Sequence, residues 1–282
     1  MRLILSRKGF DSASGGCPSP ILPDGSLLSM PIPDRSSPVR YADLSRGGRN
    51  LGDLVERLPG CKQRPHYGAH LDPDLHPDWL PRAEGWHPSL GQRGIAQGHL
   101  TKQGVRPGDL FLFWGVFRRV DEALRWCGRP MHMLWGWLQV GDVAPVDRVV
   151  RADRNGAWCW AARHPHLAFE PDPSNMLYIA GDHLELPGLE GLNLPAAGAF
   201  DVFTEQRVLT AEDAARPSLW SLPAWFLPRG RPPLSYHLEP HRWHDHPSGL
   251  HLDVVARGQE FVLNAAHYPE AAGWAAEQIA GR

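Results

Sequence analysis

Cysteine is scarce in this sequence: Cys17, Cys61, Cys127 and Cys159 are too few and too scattered for a disulfide framework or a paired-cysteine zinc site. Long apolar runs are missing as well. The strongest, 110–117, stops at Arg118 and Arg119, far short of the roughly 20 residues that a membrane-spanning helix needs. No bilayer-spanning segment is expected. The N-terminus turns basic at Arg7 and Lys8 after a brief apolar opening, too soon for a signal-peptide core, so the cytoplasm is the expected location. Charge of one sign is also lacking, since 29 Lys and Arg against 31 Asp and Glu leave a net charge of -2. That balance speaks against a polybasic arm and against an acidic tail.

What is present is a globular composition, 42% apolar and 21% charged over 282 residues, enough to bury a substantial core. Proline is abundant. The 28 prolines are about twice the usual ~5% share, so long stretches must be turns and extended loops, and helices must be few and short. Helical spacing or a start-and-stop signal marks 50–58, 91–102, 119–126 and 270–280; apolar or alternating runs mark strands at 2–6, 110–114, 132–140, 176–180, 234–238, 251–255 and 260–262. Neither an internal repeat nor a low-complexity linker divides the chain. The reading is a single α+β domain over residues 1–282, built on a mixed or antiparallel sheet with few short helices.

Chemistry-bearing residues gather in particular segments. Behind the first strand, Arg7, Lys8, Ser12, Ser14, Gly15 and Gly16 supply cations, hydroxyls and glycines that let backbone amides approach a phosphate. The spacing is not that of a P-loop or a dinucleotide fingerprint. Asp11, beside the two cations, is either a loop-capping carboxylate or a general base or nucleophile. In 70–75, an extended backbone projects His70, Asp72 and Asp74 to one side, as an acid/base pair or an oxygen-rich cation site, or else as the caps of a turn. Gln92 and His99 stand two helical turns apart and face one cleft if both are helical. His164-Pro165-His166 offers two imidazoles, but spacing fixes no carboxylate or cysteine partner, so these read as hydrogen-bonded surface histidines. Between 237 and 246 Pro240 breaks the helix that a zincin-type motif needs. His237 then faces a pocket from a strand end, with Arg242 and Trp243 as a cation and a stacking surface. No metal is expected, and no cofactor is required by sequence. Trp114, Trp135, Trp137 and Trp243 either cage a base or pack the core.

In order, Arg2 to Ser12 with Gly15-Gly16 and Pro18-Ser19-Pro20, then 28–34, 70–75, Gly91-Gln92, 108–115, 136–140, 234–237, Arg242-Trp243 and 258–261 resemble the nucleotide modification associated domain 3 family nearly end to end. That resemblance implies an α+β domain of bacteria and phages linked by genomic context to modification of bases in DNA. It favours the polar residues at matched positions: Arg7, Lys8, Asp11, His70, Asp72, Gln92, His237 and Gln259. A narrower, fold-level analogy exists. The Pro-Gly-Asp turn before the strand at 109–114 and the Gly-aromatic strand ending at Val140-Gly141 are similar to PUA-like barrels, which include readers of modified bases.

The resulting expectation is an enzyme acting on a nucleotide or DNA base at a glycosidic or base-substituent centre. Arg7, Lys8 and the Ser14, Gly15 and Gly16 backbone would hold phosphate; Asp11, Asp72 and His70 would be nucleophile or acid/base; Gln92 and Gln259 would read a base edge. His99, His237, Arg242 and Trp243 complete the candidate binding set. The rival is a non-catalytic reader, which calls for an aromatic cage and no paired carboxylates.

Overall fold

The computed structural model describes residues 1–188, 191, 193–247 and 249–281. Its centre is a mixed sheet in which the first strand, Arg2–Arg7, lies between Glu260–Asn264, antiparallel to it, and Leu110–Val120, parallel to it. Leu3, Ile4 and Leu5 are fully buried, as a continuous apolar run paired on both edges requires. Leu110–Val120 turns back into the long strand Trp126–Pro145. The far half of that strand pairs with Met176–Ala180, which in turn pairs with Ser89–Gln92. Register shifts at Phe113/Trp114, Phe117/Arg119 and Ile179/Ala180 increase the local twist, and the sheet curls into a half-barrel. Helices are few: α1 (Leu51–Arg57), α2 (Gly94–Gln103) and α3 (Glu270–Ala280), with short 3-10 turns between strands. This is an α+β fold on a mixed sheet. Among the described residues no helix is long and apolar enough to cross a membrane.

Three element assignments from sequence need correction. Residues 119–126 are not helical: the strand runs to Val120, and Asp121 closes a turn by accepting the amides of Ala123 (3.0 Å) and Arg125 (2.8 Å) before the next strand opens at Trp126. A side-chain cap offered the backbone a better partner than a helix would. Gly91 and Gln92 belong to a strand, and α2 begins only at Gly94. The segment 234–238 is a turn, with Tyr236 at φ 66 and the His237 amide donating to the Leu234 carbonyl at 3.0 Å.

The core forms around the sheet, where Phe111, Phe113, Trp114, Leu134 and Leu138 pack with Trp220, Phe261 and the inner face of α3. A second cluster joins Phe10, Tyr41 and Leu71 to Leu51 and Val55 of α1. It clamps the loop after the first strand and the segment leading to His70 against the body.

Candidate functional site

The end of the first strand, the opening of Glu260–Asn264 and the end of Ser89–Gln92 share one end of the sheet. Ser6 pairs with Glu260 and Arg7 with Trp114, and the Gln92 amide donates to Glu260 Oε1 at 2.7 Å. A two-residue ladder, Ile32–Pro33 with Ala69–His70, sets Ile32 opposite His70 and brings Asp34 to His70. A 3-10 turn over Pro165–Leu167, in which His164 Nδ1 accepts the His166 amide at 3.3 Å, adds His166. These segments enclose a cleft of about 360 Å³, within the range of small-molecule sites.

Of the residues singled out by sequence, Arg7, Lys8, Asp11, Ser14, His70, Asp72, Gln92 and Gln259 line this cleft. Asp34, Arg93, His166 and Phe169 join them without having been assigned to the site. The remaining sequence candidates lie elsewhere. Gly15 and Gly16 pack behind the loop: a Cβ on Gly15 would sit 2.4 Å from the Phe10 ring and one on Gly16 2.9 Å from the Gly60 carbonyl. His99 is on α2, bonded to Ser235 Oγ at 3.0 Å, and shares a separate cleft of about 710 Å³ with Arg242. Its separation from Gln92 follows from the helix starting two residues after Gln92. His237 is fully buried, held by the Ser235 carbonyl (2.9 Å) and packed 4.6 Å from the Phe261 ring. Trp243, also buried, donates its indole N–H to the His237 carbonyl at 2.9 Å. Trp114, Trp135 and Trp137 are core residues. Asp74 turns away, taking two bonds from Arg82 at 2.6 and 2.7 Å.

Within the cleft each charge has a partner. The Asp11 carboxylate accepts the amides of Ala13 (2.7 Å) and Ser14 (2.6 Å) and pairs with the Arg7 guanidinium. The Gly16 amide donates to the Asp11 carbonyl at 3.0 Å. The Ser14 and Gly16 amides are therefore spent inside the loop, which leaves any anion to the Arg7, Lys8 and Ser14 side chains. Lys8 Nζ is 3.4 Å from Glu260 Oε1, and Glu260 is buried with Oε2 lacking a hydrogen-bond partner. The Arg93 guanidinium lies 3.6 Å over the Phe169 ring, and His70 stacks on the same ring at 5.7 Å.

Asp72 sits at the bottom, its side chain 3% exposed. Oδ1 accepts the Gly91 amide at 2.6 Å and lies 3.5 Å from His164 Nε2; Oδ2 is 3.8 Å from both His70 Nε2 and His166 Nε2. Burial pushes the Asp72 carboxyl up, but His164, Lys8 and His166 outweigh it and hold the group below the usual carboxylate range. Asp34 is likewise held low: burial opposes ionisation and is overcome by His70 and the Ser36 donors. Burial lowers His166 to about 3 against the pull of Asp72. His70, Asp72 and His166 are a metal-capable group, one ligand atom from each lying within 4.8 Å of the others. The His164-Pro165-His166 pair, which lacked a partner by spacing, thus has one in Asp72, delivered by tertiary folding. Both rings come to it through a 3-10 turn over Pro165–Leu167.

The fold and the cleft together define an α+β protein that carries a histidine- and carboxylate-lined site at the end of a curled mixed sheet. The chain belongs to the nucleotide modification associated domain 3 family, whose model matches residues 2–264. No curated protein and no solved structure matches it. The family ties the chain to nucleotide modification.

Proposed function

We propose that the whole chain, residues 1–282, works as one domain and is an enzyme. It acts on a nucleotide, free or as a base flipped out of DNA, at the glycosidic bond or a base substituent. The observation that carries this reading is convergence: a cationic rim from the first strand and a histidine–carboxylate floor from three distant segments share one cleft, in a chain of a nucleotide-modification family. Arg7, Lys8 and the Ser14 hydroxyl take the phosphate. His70 and Asp72 stand at the reacting centre. The Asp11 carboxylate, committed to two amides and Arg7, holds the phosphate loop and orients Arg7; it is a positioning residue in this scheme. Gln92 is engaged by Glu260, so base recognition falls to Gln259 and Arg93, with Phe169 as the stacking surface. A reader would need an aromatic cage, and the four tryptophans proposed for one are buried away from the cleft.

Mass spectrometry of nucleosides from DNA, and of free nucleotides, after incubation with the protein tests the scheme. Wild type should convert one class of substrate, and Asp72→Asn should lower the rate by about 10²–10⁴-fold with folding and ligand affinity retained. A wild type that binds nucleotide without turnover, and loses binding on Phe169→Ala, would instead identify a reader.

A further inference from the structure

His70, Asp72 and His166 converge on the cleft floor, one ligand atom from each lying within 4.8 Å of the others. Asp34 is an acceptor on both oxygens: Oδ1 takes the Ser36 amide (2.9 Å) and hydroxyl (2.6 Å), and Oδ2 takes His70 Nδ1–H at 2.8 Å. The Asn175 amide is oriented by its Nδ2 donating to the His166 carbonyl at 2.9 Å, so its Oδ1 accepts His166 Nδ1–H at 2.6 Å. Both imidazoles therefore carry a proton on Nδ1, which leaves Nε2 as the nitrogen of each neutral ring able to ligate. Each Nε2 lies 3.8 Å from Asp72 Oδ2. The spacing is too long for hydrogen bonds and short enough for one ion to be shared between the three groups with modest side-chain adjustment, since ligand atoms stand about 2.0–2.2 Å from such an ion.

The surroundings are built for the same purpose. An imidazole whose other nitrogen donates to a carboxylate or carbonyl oxygen is the usual metal-ligating arrangement, since that bond fixes both tautomer and ring orientation. Asp34 and Asn175 supply it here. The Gly91 amide donates to Oδ1 of Asp72, with His164 Nε2 3.5 Å from that oxygen, while Oδ2 is the oxygen near His70 and His166. Charge agrees: among the cleft residues the three cations Arg7, Lys8 and Arg93 are balanced by the three carboxylates Asp11, Asp34 and Asp72, so a bound cation would strengthen the hold of Arg7 and Lys8 on an anionic ligand.

We infer that His70, Asp72 and His166 bind one divalent first-row transition ion, of the zinc or ferrous class, on the floor of the cleft. Two neutral imidazoles and one carboxylate suit such an ion and leave coordination positions open. The ion adds the positive charge that a nucleotide phosphate or a developing oxyanion needs. That last role rests on the function proposed above; the binding itself does not. It replaces the expectation of a metal-free protein drawn from spacing alone.

Chelator-stripped full-length protein titrated with Zn²⁺ and Co²⁺ in the absence of nucleotide is the test. One equivalent should bind, with visible Co²⁺ absorption bands. His166→Gln and His70→Gln should weaken binding at least about 100-fold, and Asn175→Ala about 10–100-fold through loss of ring orientation, with circular dichroism checking the fold. If variants unfold, X-ray absorption of the Zn²⁺-loaded wild type decides. Imidazole and oxygen ligation supports the site, whereas sulfur ligation would move the ion to the Cys17 and Cys61 thiols and overturn it. Wild type that takes up no ion, or a His166→Gln protein that binds as wild type does, overturns it as well. Because no nucleotide is present, failure here leaves the nucleotide reading to its own turnover assay.

Discussion

A Cβ on Gly91 would stand 2.2 Å from the His166 ring, so the absence of a side chain there lets the imidazole reach Asp72 while the Gly91 amide holds the carboxylate. Nothing in the local sequence announces this. Arg7, Lys8, His70 and Asp72 were legible because each stands in a polar segment leaving an apolar strand or stiffened by proline; Gln259 came from the family resemblance alone. Asp34 and His166 were not, because what recruits them is the Ile32–His70 pairing and a 3-10 turn, both set by tertiary packing. His237 shows the opposite error: a histidine in a polar-looking stretch that burial turned into a core residue. Two such histidines make a prediction about pH. Burial lowers His132 to about 3, with Arg7 helping and Asp11 opposing, and lowers His237 to about 4 by burial, against the Ser235 carbonyl bond and Asp253, with Arg242 helping. The unfolded chain protonates these groups near pH 6.5, so between that value and about 4 the unfolded state binds more protons. Stability is then fully present above about pH 6.5 and falls by a few kcal/mol toward pH 4. Urea denaturation at pH 7.5, 6 and 4.5 measures it. His237→Gln, which keeps donors but does not titrate, should flatten the slope; an unchanged slope would remove His237 from the account.

The loop after the first strand looked like a phosphate cradle and proved to be a self-bonded turn. Asp11 caps two of its amides, Gly16 donates back to the Asp11 carbonyl, and the Lys62 amide fastens it through the Gly15 carbonyl at 3.0 Å. Gly15 in this loop has φ +98 and packs on Phe10, whereas Gly48, in the turn between Ser45–Arg46 and Arg49–Asn50, has φ +77 with nothing within 4 Å of a Cβ. Gly48→Ala should cost about 1 kcal/mol from backbone strain alone. Gly15→Ala adds a collision with the buried Phe10 ring and should cost at least about 2–3 kcal/mol more, read as a shift in urea midpoint at constant slope. Equal effects at the two positions would mean the loop yields freely. The same contrast explains which elements could be read. Strands at 2–6, 110–114, 176–180 and 260–262 carry their own apolar signal and were found. The hairpin at 121–125 was missed because Val120 and Leu124 imitate a helical face while Asp121 closes a turn.

A net charge of -2 and a cleft in which Arg7 and Lys8 each stand beside a carboxylate bear on the form in which the proposed nucleotide ligand would arrive. Duplex DNA is held by many phosphate contacts, and each releases counterions, so affinity for it falls steeply with salt. This cleft offers Arg7 and Lys8 for phosphate, with a carboxylate beside each, and a volume of about 360 Å³ suited to one nucleotide and not to a helix. Under the proposed function, a base in DNA would have to leave its stack to enter. With about two phosphates neutralised on a single strand, the plot of log affinity against log salt should have a slope near about -1.4. Fluorescence anisotropy of a labelled short single strand between 50 and 300 mM salt measures it, and Arg7→Ala with Lys8→Ala should bring the slope close to zero. Mononucleotides should compete for the same site, while an unlabelled perfect duplex should compete weakly. A steep slope shared by duplex and single strand, and unaltered in the double variant, would place nucleic-acid contact on another face of the molecule. The cleft of His99, Arg242 and Arg257 would then be the first to mutate.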